Sequence, residues 1–555
     1  MTPTSPSPAA AAPPGLRTPF TYSLFRAIWL ASLVSNVGTW MQNVAGVWLV
    51  TTLTTSALLV ALMQTATSLP AFLLSMPAGA IGDLIDRRKL LLFTQAFMAV
   101  VALGLGAFAL SGAIRAIDVL GFTFLLGMGS ALNGPIWQTV TTELVPRPVL
   151  PFAITLNGVS NNIARAIGPA LGGLIIAYYQ PGWVFILNGL SFVGTWLVVY
   201  RWRRAANADN GPAENFSGAL RAGIRYVQYS PAIVAVLVRS FAFSFGASAM
   251  WALLSVVVAR RLHLQSGSYA VMLSWLGAGA VSGAFLIGKI GHRLNLNRRV
   301  LLGSFVFVGT NLALALVPGE YWLFPVMFIS GTAWLITMTS FSTSVQLHVP
   351  RWVQARVVSV YMLVFQAGLS LGSIVWGELA DRINVSLALL VAAGWMLASL
   401  SLALFFPMHQ PEGLDFSPAE PWSDQLPALE AEIDPDDGPV VVMIEYDVAP
   451  ANHEAFRLAA QQLTRLRLRD GALRAGVFTD VAQPARITEF FYVATWAEHE
   501  RQHRRFTRDD QLVEAEVRRL HRGEAPPHVT HFLAFPRTPN VEVAAPPLAV
   551  AGSAQ

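Results

Sequence analysis

The chain has 555 residues, of which 54% are hydrophobic and only 12% charged. Soluble globular chains carry about 25% charged residues, so much of this one is not built to face water. It has no cysteine, which excludes disulfides and thiolate metal sites.

In chain order, residues 1–19 are rich in Pro, Ala and Ser and lack an apolar core with a cleavage pattern. They read as a disordered tail and not as a signal peptide. Twelve apolar stretches follow, each near the roughly 20 residues that carry a helix across hydrocarbon. They fall at 24–51, 57–81, 90–112, 117–141, 150–178 and 183–200, then at 231–258, 268–289, 300–317, 321–345, 355–379 and 384–406. The first six make an N-terminal bundle over 20–200 and the second six a C-terminal bundle over 231–406, divided by a polar loop at 201–230. Pro, Glu and Asp then gather in a linker over 407–438, a soluble domain occupies 439–537, and 538–555 is a second tail. The expected fold class is an all-α membrane protein of twelve helices with a small α+β domain attached.

Charge sets the orientation. With the N-terminus in the cytoplasm, the inner loops receive Arg87, Arg88, Lys89, Arg147, the cluster from Arg201 to Arg225, Arg293, Arg298, Arg299, Arg351 and Arg356. The outer loops receive only Arg115, Arg260, Arg261 and Arg382. That asymmetry follows the positive-inside rule. It places both termini on the cytoplasmic side of a bacterial inner membrane.

An internal repeat supports the division into two halves. Val145-Pro146-Arg147 recurs as Val349-Pro350-Arg351, 204 positions later, and Gly168 and Gly173 fall on Gly372 and Gly377 at the same shift. Paired parallel repeats with a substrate site between them are one plan of secondary transporters.

Between spans two and three lies Gly79-Ala-Ile-Gly-Asp83-Leu-Ile-Asp86-Arg87-Arg88-Lys89. It resembles the loop signature of the major facilitator superfamily, G-x-x-x-D-R-x-G-R-R/K, at Gly79, Asp83, Arg87 and Arg88, and departs at Leu84 and Asp86. The resemblance implies a latch for the inward-closed state. Span five carries Gly168-Pro169-Ala-Leu-Gly172-Gly173, which resembles half of the antiporter motif of exporting branches. Proline removes a backbone hydrogen bond and the glycines allow close packing. Ser35-Asn36-Val-Gly38-Thr-Trp40-Met41, Glu143-Leu-Val-Pro146-Arg147, Leu156-Asn157-Gly158, Ala164-Arg165-Ala166 and Trp496-Ala-Glu498-His499 extend the resemblance. Together they are similar to the enterobactin-exporter-like, transmembrane secretion effector branch. That branch implies export of siderophores, metabolites or drugs by proton antiport.

Polar residues inside spans are candidates for the substrate path, because lipid offers them no hydrogen bonds. These are Asn36, Trp40 and Asn43 in span one, Gln64 in span two, Asn133, Trp137 and Gln138 in span four, and Asn157, Asn161 and Arg165 in span five. The second half offers Ser244, Trp251, Trp334, Tyr361 and Gln366. Arg165 lies about fifteen residues into its span, roughly 22 Å at 1.5 Å per residue. The alternative for each is interhelical packing, and for Arg165 a structural cap. No carboxylate or histidine lies deep in a span, so the proton carrier has no candidate.

The soluble domain reads β-α-β-β-α-β, a ferredoxin-like order, and resembles small dimeric α/β-barrel domains. Dimerisation or regulation is its expected role. His499 and His503 stand four apart on a helix and His521 follows, but no third ligand is evident, so neither a metal nor another cofactor is expected. Nothing points to nucleic acid. The expected function is a secondary transporter, not an enzyme, with a small-molecule cargo, protons and the bilayer as partners. The alternatives are an importer on the same fold, or a membrane-tethered enzyme or sensor worked by the C-terminal domain.

Overall fold

The computed structural model describes residues 15–84, 86–146, 148–202, 223–291, 293–408, 415–417, 419, 433–523 and 525–534, without the side chains of 75–84, 135, 138–139, 142–143, 288–291 and 351. It divides into two compact units. The first takes 1–220, 231–349 and 354–412, and the second takes 221–230, 350–353 and 413–555.

In the first unit a helix stands at each of the twelve apolar stretches. They are α1 (Ser23–Leu53), α2 (Ala57–Leu84), α3 (Arg87–Leu110), α4 (Ala116–Leu144), α5 (Leu150–Tyr178) and α6 (Pro181–Arg201). Then come α7 (Pro231–Val256), α8 (Ser266–Gly291), α9 (Leu296–Leu316), α10 (Glu320–Leu347), α11 (Arg351–Arg382) and α12 (Val385–Ser399). Among the described residues, ten segments are long and apolar enough to cross a membrane; α1 and α5, which each carry three candidate path residues, are not among them. Phe93, Val100, Phe285 and Leu404 point outward and are largely uncovered. On a soluble protein such a belt would be a liability; in lipid it is the solvated face.

The helix ends are fixed locally. Asp86 caps α3, its side chain accepting from Lys89 N, and Asn295 and Asn384 do the same for α9 and α12. Proline opens α5, α6 and α7, where its missing N–H costs nothing.

Packing repeats at a shift of six helices. In the first half α1 lies against α5 and α6, α2 against α4, and α3 against α4 and α6; in the second, α7 lies against α12, α8 against α10, and α9 against α10 and α12. Between halves α5 packs on α8, and α2 on α7. Gly173 and Gly377, 204 positions apart, take matching places. A Cβ at Gly173 would sit 1.9 Å from Ala270 Cβ on α8, and one at Gly377 2.5 Å from Ala61 Cβ on α2. Only glycine permits these approaches.

The second unit holds an antiparallel sheet in the order β2-β3-β1-β4. Its elements are β1 (Val440–Asp447), α13 (His453–Asp470), β2 (Arg474–Thr479), β3 (Arg486–Val493), α14 (Trp496–Arg505), α15 (Arg508–Arg518) and β4 (His528–Leu533). Val440, Val442, Ile444 and Tyr446 alternate into a core with Phe456, Ala460 and Leu463 of α13. Charges enter this core in pairs. Arg467 Nε donates to Glu489 at 3.0 Å, Tyr446 donates to the same carboxylate, and Arg469 bridges Asp470 and Asp510.

Candidate functional site

The first-half candidates converge on the α1–α5 contact. Gly168 and Gly172 of α5 let α1 approach at Trp40 and Met41: a Cβ at Gly168 would meet Trp40 Cβ at 2.5 Å, and one at Gly172 the Met41 backbone at 3.0 Å. With α1 that close, Asn36 Nδ2 donates to Ser160 at 3.5 Å, and the Arg165 guanidinium lies 5.4 Å from the Trp40 ring centroid. Arg165 has no carboxylate partner among the described residues, and its Nε is buried without a hydrogen bond. Asn157 donates to Thr141 of α4 at 3.0 Å, and Asn161, exposed, reaches back to the Asn157 carbonyl. Pro169 is buried within α5 next to Gly168.

Other candidates turn away from this group. Asn133 accepts from Thr94 and Gln95 of α3, both almost fully buried, so it joins α4 to α3. Ser244 is fully buried, donates to its own helix at Phe241 O, and meets Gly368 of α11, where a Cβ would lie 2.0 Å from its hydroxyl. That is helix packing. We expect Ser244→Ala, which removes one back-bonded hydroxyl worth about 1 kcal/mol or less, to leave transport rates unchanged in vesicles. Asn43, Gln64, Trp137 and Gln366 are part-buried; the Gln138 side chain lies outside the described residues.

In the second half Trp334 gathers Trp251, Phe307 and Phe365 within 5.4–5.9 Å, and Tyr361 extends the cluster through Phe365 at 6.2 Å. Trp251 Nε1 is buried without a partner. Asn311 of α9 is fully buried with both side-chain polar atoms unpaired, and the spacing analysis passed over it. An asparagine deep in a span was itself the available signal.

The loop motif divides. Gly79 and Asp83 lie on the last turns of α2, with side chains outside the described residues. Arg87 and Arg88 open α3. Arg88 donates to the Tyr200 and Val199 carbonyls, so it caps the C-terminus of α6.

A second cluster was not foreseen. Asp381, at the end of α11, accepts from Ser56 Oγ, Ala57 N and Leu58 N, which are the first turn of α2. Arg260, in the π-helical turn that ends α7, donates to the Thr54 and Thr55 carbonyls at 2.8 and 2.7 Å. Thr51 donates to Ser255 at 3.0 Å, and Ser68 and Ser370 share a hydrogen bond of 2.6 Å. These hydrogen bonds between the halves lie at mid-depth or at the end where α1 finishes. Charge asymmetry assigns that end outward. A groove of ≈ 580 Å³ between α1 and α6, lined by Leu30, Val34, Leu187 and Leu190, touches none of these residues.

In the second unit α14 places His499 and His503 on one face, and His531 of β4 lies beside them. His531 is a neighbour that the helical spacing of His499 and His503 did not reveal. His521 is elsewhere, its Nδ1 accepting from Asp447 N. The arginines of α14 differ in exposure. Arg505 is buried, bonded to Glu498 and the Asp470 carbonyl and stacked 4.5 Å from the Trp352 ring. Arg225 donates to the Gly471 carbonyl, and Arg469 lies over Tyr226. Residues 221–230 and 350–353 therefore belong to this unit through specific side chains.

Comparison with known proteins agrees with this architecture. The chain is 26% identical over 371 residues to the enterobactin exporter EntS of Shigella boydii, covering 65% of this chain and 86% of that one. It is 24% identical to the Citrobacter koseri EntS, covering 69% and 92%. Among solved structures it shares its fold with a bacterial homologue of the lysosomal transporter Spinster in an inward-facing, unoccupied conformation (TM-score 0.54, 15% identity, 70% and 95% covered). The nucleoside transporter NupG matches at TM-score 0.58 (11% identity, 69% and 99% covered). The family description "transmembrane secretion effector" matches residues 15–539. The chain belongs to that family, a branch of the major facilitator transporters, and is a multi-pass membrane transporter, not an enzyme.

Proposed function

We propose that this chain exports a small amphiphilic molecule bearing anionic or catecholate-like oxygens, by alternating access and proton antiport across the bacterial cytoplasmic membrane. The observation that carries the reading is Arg165, a mid-span cation stacked on Trp40 without a carboxylate partner among the described residues. Buried charges are ordinarily paired, and one left open marks a path or site. Trp251 Nε1, also unpartnered, adds a second donor opposite an aromatic wall. Donors plus aromatic faces suit a ring-bearing cargo with acceptor oxygens. The curated relatives are enterobactin exporters, which supports both the direction and the siderophore-like class.

The hydrogen bonds that join the halves at the outward end support an inward-open state ready to load. Two six-helix repeats, with both termini cytoplasmic, complete the reading. The second unit has the ferredoxin-like strand order. The sheet face away from its helices carries Met443, Phe490, Tyr492 and Phe532, which suits pairing with a second copy. The experiment is efflux from cells lacking other exporters, with and without a protonophore. Lower retention of a catecholate siderophore that the protonophore abolishes is expected. Accumulation in its place would mean import, and unchanged retention of every compound would overturn the cargo class.

A further inference from the structure

The second unit brings three imidazoles together, His499 buried and His503 and His531 half-buried. His499 and His503, four apart, share a face of α14. His531 stands opposite Val442 in the β4–β1 register, so it points to the face that the helices cover. Nε2 of His499 and Nε2 of His503 are 3.2 Å apart, and ligating nitrogens of all three residues lie within 4.8 Å of one another. The His499 ring is 4.6 Å from that of His503 and 4.9 Å from that of His531. Zinc–nitrogen bonds of 2.0–2.1 Å in a tetrahedron set their nitrogens roughly 3.3 Å apart. The first pair already has that spacing, and a side-chain rotation of His531 supplies the third.

We propose that His499, His503 and His531 form a binding site for a divalent transition-metal ion.

Burial disfavours the imidazolium form of all three, holding His499 down to about 3 and His503 to about 4, with His531 also lowered. Neutral imidazoles are the form that ligates. Without an ion the cluster is poorly satisfied. One nitrogen–nitrogen hydrogen bond joins His499 to His503, and His499 Nδ1 is buried without a partner, although the residue is only 1% exposed. Three nitrogens with neither carboxylate nor thiolate select zinc, copper, nickel, cobalt or ferrous iron over magnesium and calcium. A fourth position stays open to water or a small ligand. Trp496 packs on His499 and His531 as an apolar wall. Arg467 is a nearby cation, already engaged by Glu489.

The same helix carries Glu498, paired with Arg225, and Arg505, stacked on Trp352. An ion joining α14 to β4 would stiffen the element that holds both chain segments, which makes the site regulatory in kind.

The test uses the full chain in detergent on a tag without histidine, titrated with Zn²⁺ and with Co²⁺. Expected are one ion per chain, the visible absorption bands of low-coordinate Co²⁺, and slower hydrogen exchange in α14. His503→Ala and His531→Ala should each weaken binding by at least the roughly 10–100-fold that an outer-shell partner is worth. His528→Ala, exposed on the same strand, should leave it unchanged. His503→Gln, at a part-exposed position, guards against loss of fold, which the exchange protection of β1 reports. Failure of the folded protein to bind either ion, or equal binding by the His503→Ala/His531→Ala double variant, overturns the site.

Discussion

Arg165→Ala should sharply lower concentrative efflux while the protein still inserts and folds. A charge-assisted hydrogen bond is worth about 1.5–3 kcal/mol, which is about 10–150-fold in affinity. Cargo binding should fall by that factor, and efflux with it at limiting cargo. The competing role for Arg165 is structural, holding α5 to α1 through the Trp40 ring. A cation–π contact of this kind is worth about 0.5–2 kcal/mol, and its loss lowers thermal stability and not cargo affinity. Arg165→Lys separates the two. It keeps the charge and loses the planar fork that stacks and binds in parallel pairs. An intermediate cargo affinity with unchanged melting assigns the guanidinium to the path. A lowered melting temperature with unchanged cargo affinity in Arg165→Ala would make it a strut.

What the sequence made legible was whatever depends on local periodicity. Helix placement followed from apolar runs, and the sheet domain from alternation such as Val440 to Tyr446. The close-packing reading of Gly168-Pro169-x-x-Gly172-Gly173 also followed from composition, but the partners did not: Gly168 and Gly172 face α1, while Gly173 faces α8. Path and packing residues look alike in a sequence. Asn157 and Asn133 have the same chemistry, and only the structure shows that one bonds Thr141 and the other Thr94 and Gln95. Contacts between distant segments were invisible in principle. Ser56 and Asp381 are 325 positions apart, and His531 is found beside His499 only once β4 pairs with β1. The four outward arginines were exceptions to a rule, and the structure gives each an engagement. Arg115 binds Asp118, Arg382 binds Glu378, Arg261 donates to the Leu314 and Val317 carbonyls, and Arg260 donates to Thr54 and Thr55. An arginine held at a helix end does not vote on topology as a free loop cation does.

Opening the outward seal should be the largest effect away from the path, and Asp381 with Arg260 is the place to do it. Asp381 supplies an anion to the N-terminus of α2 from the other half, which combines a cap worth about 0.5–2 kcal/mol with a dipole interaction of about 0.3–1 kcal/mol. Arg260 does the complementary work on the carbonyls at the α1–α2 turn. Both contacts exist only when the halves meet at that end, so their energy biases the alternating-access equilibrium and leaves each half intact. Removing both in Asp381→Ala/Arg260→Ala should cost the sealed state about 2–3 kcal/mol, a shift of roughly 30–150-fold in population. The chain has no cysteine, so a single Ser255→Cys reports without background. Ser255 is fully buried beside Thr51, and an impermeant maleimide reaches it only from an outward-open state. In the Ser255→Cys background labelling should be slow. With the seal removed it should be fast, and efflux should fall because the loading state is rarely visited. Labelling that stays slow in the double variant would show that Gly173 on Ala270 and Gly377 on Ala61 hold the halves without help from charge. The same measurement on Gly173→Val, which cannot pack against Ala270, would then locate the seal in shape instead.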